Sequence, residues 1–586
     1  MSNQIIPFSH FRDEYSREDV SVRINAVRRL PIVVYAEGVT SSTTNELVTI
    51  IEKILDENED DEIFLGMAEC LSYLFDVLPL TKIIIYLEKL LGVEESSVRT
   101  KTVQTYGKLI VSLSAKDVAK YVVPSVQGLF KTISFISHLS AICLLPEVIS
   151  VVDEETRIEL IKTLTLPMER EESLILKRTL VSQLALMLKH LPYELLGDQI
   201  FNVFKRLCLD DSDNIRISTI SALIELAKVF TAVDNKKNLI PLIIQLTGDK
   251  SWRVRHHLAS EFHLLASAVG SEITDNSFLS IFSTLLRDSE NEVRIQAVRS
   301  LKKMVTLLST ERMGTLINSI LSVLKDSIPM VRIGCCDLLR EILTRDLSDL
   351  ESDVLKKKIE EVFIELVNDC DIEVKMGAIS ALPLWARYVG NYVFDLISSG
   401  AILIDYNNPS WRVRKTVIGV FLELSALAKS QKIFDKVVKR IFLDAMEDKA
   451  YEVRKFSVSK IPNLVALLDP EYILDNIYKP ISNLAISGGK FYTYRLTSII
   501  GLKILTESLS ENDKLRGEIC KTLLFLVENK VSNIRMVAVK ALIELNDKGV
   551  LKETDCNLIG FLQGFIASET DREIKHLVGK ALTFTA

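Results

Sequence analysis

The sequence predicts an all-α solenoid, an α-α superhelix of about fifteen tandem helical hairpins, and three observations carry that expectation. An apolar residue followed by a basic one returns about every 39 residues along the chain. Seven residues after each such anchor stands an apolar residue. Six residues before many of the anchors stands Asp or Asn, a former of tight turns.

The pentapeptide SWRVR shows the pattern most plainly, in DKSWRVRHHL (249–258) and again in NPSWRVRKTV (408–417), although the chain has only three tryptophans. With its second Arg as anchor the series is Arg23, Phe64, Arg99, His138, Lys177, Arg216, Arg255, Arg294, Arg332, Lys375, Arg414, Arg454, Arg495, Arg535 and Lys575. Every step from Arg99 to Arg294 is 39 residues, and after Lys375 the steps are 39, 40, 41, 40 and 40.

Each repeat reads as helix, turn, helix. The first helix is an apolar segment such as NLIPLIIQL (238–246) or VVKRIFLDAM (437–446). The turn follows at Asp210, Asp249, Asp288, Asp326, Asp369 and Asp448, with Asn408 and Asn529 where Asp is absent. These side chains bond their own backbone and cap a following helix, so the second helix is expected to start just after them. Within it, apolar residues one before the anchor and four and seven after it trace a single helical face. The Asp-x5-Arg spacing also suits an ion-pair ladder between neighbouring repeats. This pattern resembles the HEAT repeat. A single hairpin cannot bury its apolar stripe, so the hairpins must stack and share their core, with stability summed over neighbours and unfolding by segments. The 43-residue step between Arg332 and Lys375, with RDLSDLESD (345–353), is the expected hinge.

Composition removes several classes. The chain is 48% hydrophobic and 25% charged, as folded soluble proteins are. No uncharged apolar run reaches the roughly 18 residues of a membrane span, and MSNQIIPFSHFRDEY lacks the basic start and apolar core of a signal. A cytoplasmic location is expected, with the nucleus as a second compartment. Eight cysteines without a CxxC pair fit neither a disulfide framework nor a zinc site. A net charge of -7 disfavours a duplex-binding surface, so no nucleic acid, membrane span, metal or cofactor is expected.

One position departs from the framework. Three residues before the anchor the chain reads Val20, Asp61, Ser96, Phe135, Leu174, Asp213, Trp252, Asn291, Pro329, Ile372, Trp411, Tyr451, Tyr492, Ser532 and Arg572. A position that varies from Asp to Trp is not uniformly core. Lying at the turn, it aligns on stacking into a ridge, and three consecutive repeats there present Trp411, Tyr451 and Tyr492. Large aromatics are favoured at interface hot spots, although one near a helix start can also pack on its neighbour as a staple. Other constellations are weaker. HHLASEFH offers His256, His257, Glu261 and His263 but does not match HExxH, and these read as ordinary helix histidines. Cys335 and Cys336 fall at core positions as apolar fillers. SGGK (487–490) lacks the rest of a phosphate loop, and no catalytic constellation is present.

Jointly, REDVSVRINAVRRL at the start, DKSWRVR in the seventh repeat, NPSWRVR in the eleventh, FYTYRLTSIIGLKIL in the thirteenth, VSNIRMVAVKAL in the fourteenth and GKALTFTA at the end resemble the scaffold (A-type regulatory) subunits of the type 2A protein serine/threonine phosphatases. Phe64 and His138 depart from the ladder arginine, and Lys177-Arg178 stands where that family has two arginines. The resemblance implies a HEAT-repeat solenoid over 8–586. Within it, repeats 1–8 (about 8–310) would hold an interchangeable regulatory subunit, repeats 9–10 (about 311–390) would connect, and repeats 11–15 (about 391–586) would hold the catalytic subunit. It further implies Trp411, Arg412, Tyr492, Asn533 and Arg535 as residues facing the catalytic subunit, and Tyr451 joins them by its place on the ridge. Glu62, Lys177, Arg178, Asn214, Trp252 and Arg253 would face the regulatory one. The implied assembly is a heterodimer or heterotrimer in which the chain itself is not an enzyme and acts by raising effective concentration. Two rivals stand beside it: another helical-repeat carrier, such as a nuclear transport receptor or coat adaptor, and an enzyme with a hidden site.

Overall fold

The computed structural model describes residues 8–57, 60–168, 173–345, 353–390, 392–398, 406–428, 439–487, 491–510, 514–551 and 557–584. Among the described residues there are helices and no strand. The second helices of the repeats are α1 Val20–Glu37, α2 Asp61–Leu71, α3 Ser96–Ser112, α4 Phe135–Val151, α5 Leu174–Met187, α6 Asp213–Val229, α7 Trp252–Val269 and α8 Asn291–Met304. They continue as α9 Pro329–Thr344, α10 Ile372–Val389, α11 Trp411–Ala428, α12 Tyr451–Ser459, α13 Tyr492–Ser508, α14 Ser532–Asp547 and α15 Arg572–Phe584.

The chain forms two compact units, Met1–Leu307 and Leu308–Ala586. In the first, each of α1 to α7 packs on the next second helix; in the second, each of α9 to α14 does. The shared core lies where the periodicity places it. From Leu30 to Leu542 the residues seven after the anchor, including Tyr106, Phe262 and Phe421, are all at most 2% exposed. The residue before the anchor is also inward, as Val254 and Val413 show. Burying one such side chain contributes about 1.5–3 kcal/mol, and the same burial recurs in every repeat from Leu30 to Leu542. Phe262 adds ring contacts to Phe278 and Phe282 of the following hairpin at 5.0 and 4.8 Å.

Two further periodicities emerge. Proline recurs eight residues after the anchor, at Pro31, Pro146 and Pro383 inside α1, α4 and α10 and at Pro462 just after α12. There it costs a backbone hydrogen bond and bends the helix or ends it. The first helices of repeats 4, 6, 7, 8 and 13 pass through a π-helical turn at Val118–Val122, Leu196–Ile200, Asn235–Leu239, Thr274–Phe278 and Leu474–Tyr478. Its recurrence at one register marks a structural kink, not a catalytic distortion. In two repeats the turn opens on a buried polar residue tied to the preceding second helix. Asn235 donates to the Ala227 carbonyl at 3.0 Å, and the Thr274 hydroxyl donates to that of Ala266 at 3.1 Å.

The turn differs in detail from the sequence expectation. Asp210, Asp249, Asp288, Asp369 and Asp448 do not cap the second helix. One oxygen of each accepts the backbone N–H two residues on, as in Ser251 to Asp249 at 2.8 Å and Ala450 to Asp448 at 2.8 Å. The N-cap falls two residues later, at Ser212, Ser251, Glu290, Asp371 and Ala450. The turn does not require a forked carboxylate, since Asn529 accepts the Val531 N–H in the same way at 3.1 Å. The expected hinge at 345–353 lies outside the described residues except for Arg345 and Asp353.

Candidate partner-binding ridge

The turns are held by the ladder that the Asp-x5-Arg spacing predicts. Arg216, Arg255, Arg332, Arg414 and Arg535 each reach forward to the acid of the next repeat with Nε and Nη2 in a fork. Arg216 meets Asp249 at 2.8 and 2.8 Å, and Arg255 meets Asp288 at 2.6 and 2.9 Å. In the second unit Arg332 meets Asp369 at 2.6 and 2.9 Å, Arg414 meets Asp448 at 2.6 and 2.7 Å, and Arg535 meets Glu569 at 2.8 and 2.7 Å. The remaining Nη1 turns back to the carbonyl of its own repeat's turn, as Arg255 does to Asp249 at 2.6 Å. Every donor edge is used, and the pairs are nearly buried, Arg216 and Asp249 at 4% and 9% side-chain exposure. Each rung thus fixes one turn against the next in direction as well as distance.

Electrostatics follows this geometry. Burial alone would raise the carboxyls of Asp288, Asp369 and Asp448, but the forked arginine and the turn N–H together hold them below the ordinary carboxylate value. At Glu569 the Arg535 hydrogen bonds prevail outright and hold it down to about 2. A carboxylate whose folded value is depressed contributes fully above its ordinary value of 4.5 and loses that contribution as the pH falls toward about 2. Thermal melts followed by circular dichroism should therefore show stability falling through that acid window. Glu569→Gln should lower stability at neutral pH and narrow the difference from the parent in acid; an unchanged acid profile would count against the rung.

On this frame several second helices begin with an exposed aromatic. Trp252 is 44% exposed, and in the second unit Trp411, Tyr451 and Tyr492 are 40%, 55% and 49% exposed. The third tryptophan, Trp385, is 1% exposed and stacks on Phe363 at 4.6 Å. Trp411 sits among cations, with the Arg412 guanidinium 6.0 Å and the Lys415 ammonium 5.9 Å from its ring. Lys415 also lies 5.3 Å from the Phe456 ring and 3.7 Å from Glu452. Arg454 approaches the Tyr451 and Tyr494 rings at 5.7 and 5.5 Å. In the first unit Trp252 meets His256 edge to face at 6.1 Å, and Arg253 reaches Asp213 at 3.5 Å.

The residues singled out in sequence divide into two groups. Trp411, Arg412, Tyr451, Tyr492 and Asn533 are exposed on successive turns of the second unit, and Glu62, Arg178, Asn214, Trp252 and Arg253 are exposed on turns of the first. Arg535 and Lys177 stand in the ladder, as their anchor positions predict. Arg535 is spent on Glu569 and Lys177 on Asp210 at 2.7 Å, so both are rungs. Sequence reading missed Phe491, 57% exposed beside Tyr492, and the Lys415 and Phe456 that frame Trp411. Phe491 was visible as the neighbour of a ridge tyrosine; Lys415 and Phe456 come together only through the packing of α11 on α12.

The other candidates settle into the framework. His257 is half-buried, and burial lowers its pKa; His263 shares its Nδ1 with the Ser260 carbonyl at 3.0 Å. Cys335 and Cys336 are buried, and burial pushes both thiols up, Cys336 to about 12. Among the described residues no cluster of His, Cys, Asp and Glu is arranged to hold a metal, and no helix is long and apolar enough to cross a membrane.

Comparison with known proteins gives three results. Residues 67–345 match the PIK3R4-like middle-domain family. In sequence the chain is 27% identical over 284 residues to the A-type regulatory subunit of protein phosphatase PP2A from Saccharomyces cerevisiae, covering 46% of this chain and 44% of that one. It is 25% identical over 276 residues to the protein of the same name in Schizosaccharomyces pombe, covering 46% of each, and 32% identical over 146 residues to the PP2A 65 kDa regulatory subunit of Drosophila melanogaster, covering 24% of each. The matched region spans a little under half the length of the two yeast relatives. In fold, solved structures of Kap121p and Kap95p superpose over 98% of the chain at TM-scores of 0.56 and 0.55, with 12% and 11% identity, covering 69% and 80% of those chains. Such identity speaks to fold alone. The chain is an all-α protein of tandem HEAT-type repeats, similar in sequence to the A-type regulatory subunits of PP2A.

Proposed function

We propose that the chain is a non-catalytic scaffold that holds the catalytic and regulatory subunits of a type 2A-like protein serine/threonine phosphatase together, in the cytoplasm and nucleus. The observation that carries this reading is the row of exposed aromatics, Trp411, Tyr451 and Tyr492, at one register on consecutive helices. Rigid aromatics bury much area at small entropic cost, and the fork of Arg414 on Asp448 orders the turn between Trp411 and Tyr451 before binding. The catalytic subunit docks on the turns of α11 to α14 through Trp411, Arg412, Tyr451, Tyr492 and Asn533, with Arg535 positioning the last turn from below. A regulatory subunit docks on turns of the first unit through Glu62, Arg178, Asn214, Trp252 and Arg253, with Lys177 in the rung beside them.

The mechanism is that of a tether. Binding two partners on one chain makes the second encounter intramolecular and raises the concentration of whatever the regulatory subunit carries near the phosphatase. No residue of the chain performs chemistry. Affinity capture of the full chain from cell extract, with identification of the bound chains, tests the reading: a type 2A-like catalytic subunit should be retained, and its absence would overturn it. Phosphatase activity of the purified chain alone would contradict the non-catalytic role.

A further inference from the structure

The forked ladder of the second unit is interrupted at α10–α11, where Lys375 and Asn408 replace the Arg and Asp, and again at the aromatic part of the ridge. On one side α11 is forked to the turn before α12 through Arg414 and Asp448, and on the other α14 is forked to the turn before α15 through Arg535 and Glu569. Between them the acid is missing twice, because Gly489 stands six residues before Arg495 and Asn529 six before Arg535. Arg454 instead gives Nε to the Thr497 hydroxyl at 3.2 Å and rests against the Tyr451 and Tyr494 rings. Arg495 gives Nε to the Ala485 carbonyl at 2.9 Å, while its buried Nη2 has no hydrogen-bond partner. Burial correspondingly lowers the Arg495 pKa from the usual guanidinium value.

From these contacts we infer that the junctions α12–α13 and α13–α14 are a compliant stretch built into the second unit, where repeats shift against one another while the forked junctions on either side hold. A fork onto a carboxylate fixes direction; a single hydroxyl or a ring face does not. A partly buried cation that meets no countercharge among the described residues also stores an unfavourable term that small openings relieve. The apolar core does not make the difference, since Leu502 and Leu542 are as buried as Phe421. Nor do the pairs Lys503–Glu544 and Lys548–Glu507, which are partly exposed and contribute little. Tyr451 and Tyr492 begin the helices α12 and α13, so this compliance sets the spacing of the aromatic turns; that consequence rests on the docking reading, whereas the compliance does not.

Asn529 supplies a clean test. Its side-chain oxygen already accepts the Val531 N–H at 3.1 Å, as Asp448 accepts that of Ala450, so Asn529→Asp changes charge without changing shape. Hydrogen exchange read by mass spectrometry on the full chain, without any partner, should find amides of Tyr492–Ser508 exchanging about tenfold faster than those of Trp411–Leu424, and Asn529→Asp should remove most of that difference. Arg495→Met provides a second reading: deleting an uncompensated cation should leave protection equal or greater, whereas Arg414→Met, which strips Asp448 of its partner, should reduce it. Equal protection of the two helices in the parent, no response to Asn529→Asp, or equal losses from Arg495→Met and Arg414→Met would each overturn the inference.

Discussion

Replacing Trp411 and Arg412 together by alanine is expected to weaken the proposed catalytic partner by about 2 kcal/mol or more, roughly thirtyfold, and to leave helix content and unfolding midpoint nearly unchanged. The selectivity follows from position. Trp411 is 40% exposed at the start of α11, so its truncation opens no cavity, whereas Trp385, 1% exposed, should cost about 3–5 kcal/mol of stability on the same substitution. Arg412 adds a cation beside the indole and a 3.4 Å approach to the exposed Glu373, an interaction of small worth to the free chain. Titration calorimetry with the purified partner, alongside thermal melts, reads both halves of the prediction. A large fall in melting temperature would mean that Trp411 is a packing residue.

The second large effect concerns the ladder. Asp249→Asn retains the side-chain shape and the turn bond to Ser251, but leaves the Arg216 guanidinium buried against a neutral group. Breaking one side of a buried pair costs about 3–5 kcal/mol, so this single-atom change should destabilise the first unit more than most surface substitutions do. Replacing both members by apolar residues, Arg216→Met with Asp249→Leu, should cost less than the single change, because no charge is stranded. Denaturant titrations of the two variants decide it. A double variant less stable than Asp249→Asn would show that the fork itself, and not the avoidance of an unpaired charge, supplies the stability.

How much of this was legible in the sequence depends on periodicity. Positions that repeat were readable: Phe262 and Leu301 are buried as the register requires, and the spacing of Asp249 to Arg255 predicts the ladder. The N-cap was misplaced because an Asp or Asn in a turn can either cap a helix or bond the N–H two residues on, and spacing alone does not distinguish the two. Arg535 and Lys177 were legible as ladder anchors, but the carboxylates that occupy them appear only in the packed repeats. The π-helical turns left no recognisable mark, since a polar Asn235 and Thr274 and an apolar Val118, Leu196 and Leu474 begin the same kink. The ridge was visible by contrast: a position that holds Asp in one repeat and Trp in the next is not a core position, and exposure of Trp252 and Trp411 follows.

The central claim is that one chain holds two partners on separate turns, and paired affinities for two double variants test it most directly. Trp411→Ala with Arg412→Ala should weaken only the catalytic subunit, and Trp252→Ala with Arg253→Ala should weaken only a regulatory subunit, each measured as binary binding to the full chain. Equal losses for both partners from either variant would contradict the account and would assign both tryptophans to the framework.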